Sequence, residues 1–201
     1  MKQKNLSALS VRKELLSRKV SIFTPQEFQR IFRSSHPQTK YFLETYAKQG
    51  MFTRLKPGLY VFDDRMPSGE EIANALYQPS YISFEYALAR YGIIPEIVYA
   101  LTSATTKPTR AFAVADIGFE YFKIKRQAFI GYGLAQDGRD RTRSVLMAEP
   151  EKAVADYLYF VSLGKRALND RMTIKGLNRK KITRYAKLFG RPGLMQLVQK
   201  L

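Results

Sequence analysis

The stretch QGMFTRLKPGLYVF, residues 49–62, decides how the first third of the chain is read. Gly50 is a helix stop, because the left-handed conformation just past a helix end costs glycine little. Two short runs rich in β-formers then flank Lys56-Pro57-Gly58, a turn in which proline presets φ and glycine takes the positive φ. The stretch predicts a β-hairpin with Arg54 and Lys56 at its tip, directly after a basic helix.

Working back from Gly50, residues 38–49 predict a helix that buries Phe42, Leu43, Tyr46 and Ala47. Ser34-Ser35-His36-Pro37 is its turn and cap, with Pro37 at the first helical position. TPQEF (24–28) opens an earlier helix, with Thr24 as N-cap, Pro25 at the first position and Glu27 completing a capping box. Phe28, Ile31 and Phe32 face inward. VSIF (20–23) is β-branched and aromatic and reads as a short strand. Residues 6–18 form a first helix with an incomplete stripe of Leu6, Leu9, Leu15 and Leu16.

Three helices and a hairpin in this order predict a winged helix-turn-helix. The third helix would enter the major groove and the hairpin would act as a wing on the backbone. Cations suit the wing because each neutralised phosphate releases counterions. The outward face of the third helix carries Gln38, Thr39, Lys40, Tyr41, Glu44, Thr45 and Lys48. Gln matches adenine and Lys matches guanine by geometry. Arg33, Ser34 and Ser35 precede the helix, where phosphate contacts set the register. The same pattern also describes a packing module whose cations are merely solvated.

The chain has 201 residues, enough for one large domain or two small ones, and its 45% hydrophobic content is that of a globular protein. The absence of cysteine excludes disulfides, thiolate catalysis and cysteine zinc sites. It fits a reducing cytoplasm, the expected location. The first twenty residues lack the apolar core of a signal peptide. No apolar run approaches the ~20 residues of a membrane span, so no membrane partner is expected. Net charge is +17. Residues 1–65 carry 13 basic and 5 acidic residues, residues 66–160 carry 10 and 11, and residues 161–201 carry 11 and 1. Two basic ends around a near-neutral middle point to a polyanion, although a basic solubility charge looks similar.

The expected fold class is α+β, with a winged helix-turn-helix over 1–65 and a mixed C-terminal domain over 80–201. That second domain has a β-rich core (80–148) and a helical, basic end (149–201). Residues 63–80 read as a join containing a short helix. Ser83 caps a helix with Phe84, Ala87, Leu88 and Tyr91 inward and Gly92 at its end. Residues 96–106 and 110–125 read as strands, and 126–136 pairs with 143–148. Residues 149–164 are helical, with acidic residues suiting the start. The end reads as two basic helices broken at Gly190-Arg191-Pro192-Gly193.

Nothing in the sequence calls for catalysis, a metal or a cofactor, and no enzyme activity is expected. His36 is the lone histidine and sits at a helix start. No nucleophile elbow is present, and GYG (131–133) is not followed by the GK[ST] of a phosphate loop. The acid pairs Asp137 with Asp140 and Glu149 with Glu151 occupy a turn and a helix start, which explains them without chemistry.

Several motifs in order make the chain resemble the AbiEi family, the antitoxin and repressor halves of type IV AbiE toxin–antitoxin systems. They are Gly58-Leu59-Tyr60, Tyr81-Ile82-Ser83-Phe84, Thr105-Thr106-Lys107 with Arg110, and Pro150-Glu151-Lys152-Ala153-Val154-Ala155-Asp156. The resemblance implies an antitoxin that binds inverted repeats in its own promoter DNA and represses its operon, two copies binding cooperatively and a monomer in solution being possible. It also implies antagonism of a nucleotidyltransferase-like toxin. Type IV systems are defined without a stable toxin–antitoxin complex, so direct contact stays open. The Gly-Ser turn and paired aspartates of such toxins are missing here.

Two groups keep open readings. Thr105, Thr106, Lys107, Arg110 and Lys152 are candidates for an antitoxin surface, or else form a strand end, a turn and an i,i+4 ion pair worth a few tenths of a kcal/mol. Arg179, Lys180, Lys181, Arg184 and Lys187 make the penultimate helix cationic most of the way round. They would add a DNA contact, face an acidic or RNA-bound partner, or simply be solvated. The competing functional reading is a general RNA- or DNA-binding protein that uses these C-terminal helices.

Overall fold

A computed structural model describes residues 6–201. Lys2 and Lys4, part of the basic charge of the first segment, lie outside the described residues. The chain is mixed α+β, with eight α-helices and two sheets among the described residues. It divides into two compact units, Met1–Ser68 and Gly69–Leu201.

In the first unit, α1 (Ala8–Ser17) leads to β1 (Ile22–Phe23), α2 (Pro25–Phe32), α3 (His36–Lys48), β2 (Phe52–Lys56) and β3 (Leu59–Phe62). The strands form an antiparallel sheet in the order β1-β3-β2. Its hairpin closes through Pro57-Gly58, with Gly58 at φ +79°. A register shift between Arg54 and Lys56 leaves Leu55 as an extra residue. Capping boxes start all three helices at Ser7, Thr24 and Ser35. Helix α3 therefore begins two residues earlier than 38, with Pro37 in its first turn. Phe23, Phe28, Phe42, Phe52 and Phe62 form an aromatic core that Val11 and Leu15 join from α1. The leucine stripe expected on α1 is corrected: Leu9 and Leu16 are exposed, and Val11 and Leu15 supply the inner face.

The second unit begins with α4 (Gly69–Leu76), which buries Ile72, Ala73 and Leu76 and so belongs to this core. There follow β4 (Ser80–Ile82), α5 (Phe84–Arg90), β5 (Leu101–Thr105), β6 (Arg110–Val114), β7 (Ile117–Lys123), β8 (Tyr132–Gln136), β9 (Ser144–Ala148), α6 (Pro150–Ser162), α7 (Arg179–Lys187) and α8 (Pro192–Gln199). The six strands run β6-β7-β5-β4-β9-β8. Pairs β4–β9 and β5–β7 are parallel, and β4–β5, β6–β7 and β8–β9 are antiparallel. Residues 110–125 form a hairpin rather than one strand, turning at Ala115 with φ +50°. The β8–β9 hairpin pairs as expected over 132–136 and 144–148, but Arg126–Ala128 is a 3₁₀ turn rather than part of the strand. Helix α4 lies over β4, β5 and β9, and α5 packs against α6. Ser83 sits at the α5 start without capping it; its hydroxyl donates to Asp156 instead. Tyr91, expected to face inward, is partly exposed, with its hydroxyl donating to the Ala148 carbonyl at 2.8 Å.

Candidate nucleic-acid interface

Helix α3 is anchored on one side and open on the other. Phe42 and Leu43 are buried, with Tyr46 packing on Phe42 at a ring separation of 4.3 Å. Lys40, Tyr41, Glu44 and Lys48 are exposed, Tyr41 to 75%. Arg33 closes α2 in the left-handed region, at φ +52°, and its side chain is exposed. A left-handed residue is a common way to end a helix, and in a non-glycine residue it costs about 1–2 kcal/mol. His36, the first residue of α3, is exposed, with Nδ1 3.4 Å from Gln29 Nε2. On the hairpin, Arg54 is exposed opposite Tyr60, whereas Lys56 is half-buried at the strand end.

Two residues expected on the reading face do other work. Thr39 is buried, and its hydroxyl shares a 2.7 Å hydrogen bond with that of Ser34. The Gln38 carbonyl oxygen accepts from the Ser35 amide and hydroxyl, both at 3.1 Å. A two-bond contact from Gln38 to adenine would have to break that cap. Thr45 is half-buried, and Ser35 is exposed at the cap. The exposed set therefore narrows to Arg33, Ser35, Lys40, Tyr41, Lys48 and Arg54.

Of the five candidates for an antitoxin surface, the second unit buries two and exposes two. Thr105 is buried, and its hydroxyl donates to the Pro79 carbonyl at 2.7 Å. Thr106 is half-buried, while Lys107 and Arg110 are exposed. Lys152 is fully buried and paired with Asp156, which also accepts from Tyr81 and Ser83 hydroxyls at 2.9 and 2.8 Å. The Lys152 ammonium lies 4.9 Å from the Phe189 ring centroid and 5.8 Å from that of Tyr81. Burial lowers the Lys152 pKa and raises that of Asp156, and their mutual attraction opposes both shifts. An exposed i,i+4 pair is the wrong description of such a group. Sequence spacing placed the pair on one face of a helix; it held no sign that this face was interior.

Helix α7 is also corrected. Ile182, Tyr185 and Ala186 are buried, so one face is apolar. Lys181 binds Glu149 at 2.9 Å and Glu151 at 3.5 Å, leaving Arg179, Lys180, Arg184 and Lys187 exposed. Arg179 donates to the Leu201 carbonyl at 2.6 Å. Helix α8 contains no Lys or Arg and is not a basic helix. The carboxylates that might suggest chemistry serve structure. Asp137 accepts from the Arg139 and Asp140 amides, Asp140 pairs with Arg143, and Glu149 accepts from the Tyr185 hydroxyl.

Among the described residues, no group of three or more His, Asp or Glu side chains is placed to hold a metal ion. Among them, no helix is long and apolar enough to cross a membrane. No family model matches the chain, and no curated protein matches it either.

Proposed function

We propose that the chain is a DNA-binding autorepressor and the antitoxin of a type IV toxin–antitoxin system. The first unit acts as a winged helix-turn-helix: α3 enters the major groove and the β2–β3 hairpin contacts the backbone. One observation carries this reading. Lys40 and Tyr41 project from the first half of α3 while Phe42 and Leu43 bind the same turn to the core, and exposed Arg33 and Arg54 flank that helix in sequence. A helix held on one face with cations on the other is what groove entry requires. The second unit, in this reading, counteracts a nucleotidyltransferase-like toxin and has no catalytic role. The order of family-like motifs over 58–156 supports that assignment. Promoter DNA with inverted repeats is the partner, bound by two copies, in the cytoplasm.

A second reading draws on the exposed cations of α7, which suit general binding to RNA or DNA. Fluorescence anisotropy separates the two. The protein is titrated onto its own upstream DNA and onto a scrambled duplex at about 50 and 200 mM salt, where six to ten phosphate contacts lose roughly 10³–10⁵ in affinity. Preference for its own DNA at the higher salt is expected of the repressor. Equal binding to both duplexes that vanishes with salt would leave only the general reading.

A further inference from the structure

At the β6 end of the six-stranded sheet, rings and cations converge from separate segments. Tyr77 follows α4, Lys107 lies between β5 and β6, Arg110 and Phe112 are on β6, and Lys123 ends β7. The rings of Tyr77, Phe112 and buried Tyr121 form a triangle with centroids 5.3, 5.8 and 5.9 Å apart. Lys107 Nζ lies 5.5 Å from the Tyr77 centroid, and the Arg110 guanidinium lies 5.9 Å from Tyr77 and 5.6 Å from Phe112. Register puts Arg110, Phe112, Tyr121 and Lys123 on one face. Arg110 pairs with Tyr121 and Phe112 with Phe119, and Lys123 is two residues beyond Tyr121 on the same strand. Glu120 alternates to the opposite face. The Tyr121 hydroxyl donates to the Ala73 carbonyl at 2.6 Å, so this is the α4 side. Helix α4 covers that side over β4, β5 and β9, while Tyr77 and Phe112 stay half-exposed. Lys107, Arg110 and Lys123 are exposed, and none forms an ion pair among the described residues. The Tyr77 hydroxyl is turned onto the Pro108 carbonyl at 3.1 Å.

We infer that this cluster binds single-stranded RNA, with an unpaired base against the Tyr77 and Phe112 rings and its flanking phosphates on Lys107, Arg110 and Lys123. Unstacked bases are taken up on aromatic rings and guanidinium planes beside backbone-tracking cations. A duplex keeps its bases stacked internally and offers nothing to the rings. An acidic protein would engage the cations and leave the rings unused. Unpaired bases in a cell belong mainly to RNA. The site lies wholly in the second unit and does not depend on duplex binding by the first.

The test photo-crosslinks the full chain to an oligouridine RNA of about a dozen nucleotides carrying 4-thiouridine, a length within the span one such binding module covers, and maps the adducts by mass spectrometry. Anisotropy with the same RNA and with an oligothymidine DNA runs in parallel. Adducts are expected on Tyr77 or Phe112. Phe112→Leu, which keeps apolar bulk but removes the flat ring, should weaken RNA binding about fivefold or more, as for one stacked base. Lys107→Ala with Arg110→Ala, both exposed, should weaken it at least comparably. Lys40→Ala, and Lys180→Ala with Lys187→Ala, should leave the adducts in place. Adducts confined to α3, the β2–β3 hairpin or α7 would overturn the inference. So would unchanged affinity in the Lys107/Arg110 variant, or binding of the DNA tighter than that of the RNA.

Discussion

Lys152 and Asp156 lie one turn apart on α6 and face each other with both side chains fully excluded from solvent. The carboxylate is satisfied by the ammonium on one oxygen and by two hydroxyls, Tyr81 and Ser83, on the other. The pair thus ties α6 to β4 and the start of α5. Asp156→Ala would leave a buried ammonium without a counter-charge and two hydroxyls without their acceptor. It is expected to cost about 3–5 kcal/mol, whereas replacing both members with Lys152→Met and Asp156→Leu should recover most of that loss. Urea unfolding of the two variants checks this; a near wild-type midpoint for Asp156→Ala would show that the pair is not closed in solution.

Glu149, Tyr185 and Lys181 clamp the start of α6 to α7. The Tyr185 hydroxyl and then Lys181 lower the Glu149 pKa, and the hydrogen bond to Glu149 raises that of Lys181. A carboxyl lowered by folding contributes above its unfolded pKa and loses the contribution as pH falls through the folded value. A raised lysine contributes below its unfolded pKa and loses the contribution as pH rises through the folded value. The clamp is therefore fully present between about pH 4.3 and 10.4. Glu149→Gln should reduce the acid-side loss of melting temperature and Lys181→Met the alkaline-side loss. Parallel slopes in wild type and both variants, measured from pH 3 to 11, would sink the assignment.

The two glycines of Gly131-Tyr132-Gly133 are unequal. Gly131 has φ +76°, and a Cβ there would stand 2.6 Å from two ring atoms of Tyr185. Gly131→Ala should cost about 2–4 kcal/mol from left-handed strain plus overpacking. Gly133 meets nothing within 4 Å. Gly133→Ala should change stability by less than about 0.5 kcal/mol. Equal melting temperatures for the two variants would contradict the packing at Tyr185.

Arg33 holds a left-handed backbone between α2 and α3. Arg33→Gly relieves that conformation and should leave the fold unchanged or stabilise it by up to about 1 kcal/mol. If Arg33 contacts a phosphate, the same variant should weaken promoter binding and reduce the salt slope by about one. Calorimetry and a salt titration read the two effects separately.

Thr39 and Lys40 are neighbours with opposite roles. Thr39→Val removes the buried hydroxyl bonded to Ser34 and should cost about 1–2 kcal/mol of stability. Lys40 is exposed, so Lys40→Ala should leave stability within about 0.5 kcal/mol, and under the proposed repressor function it should weaken specific DNA binding by about 1–3 kcal/mol. Normal repression by Lys40→Ala would move the reading helix elsewhere.

Signals that act over a few residues were legible in the chain. Thr24-Pro25-Glu27, Ser35, Gly50 and Pro57-Gly58 mark their boundaries because caps and turns are satisfied by near neighbours. Phe28, Phe42 and Leu43 declared their faces by spacing, and the β8–β9 hairpin by its turn. The order β6-β7-β5-β4-β9-β8 was not legible, since its parallel pairs join strands with other elements between them. Burial of polar residues was also invisible. Thr39, Thr105 and Lys152 looked like surface residues, yet each is interior with a partner to satisfy it: the Ser34 hydroxyl, the Pro79 carbonyl and Asp156. The sequence by itself determined the helix starts and the wing-like turn of the first unit, the charge at both ends and the cationic face of α3. Only the tertiary structure decided which polar side chains the core absorbs, because a buried polar group is tolerable only where folding brings its partners to it.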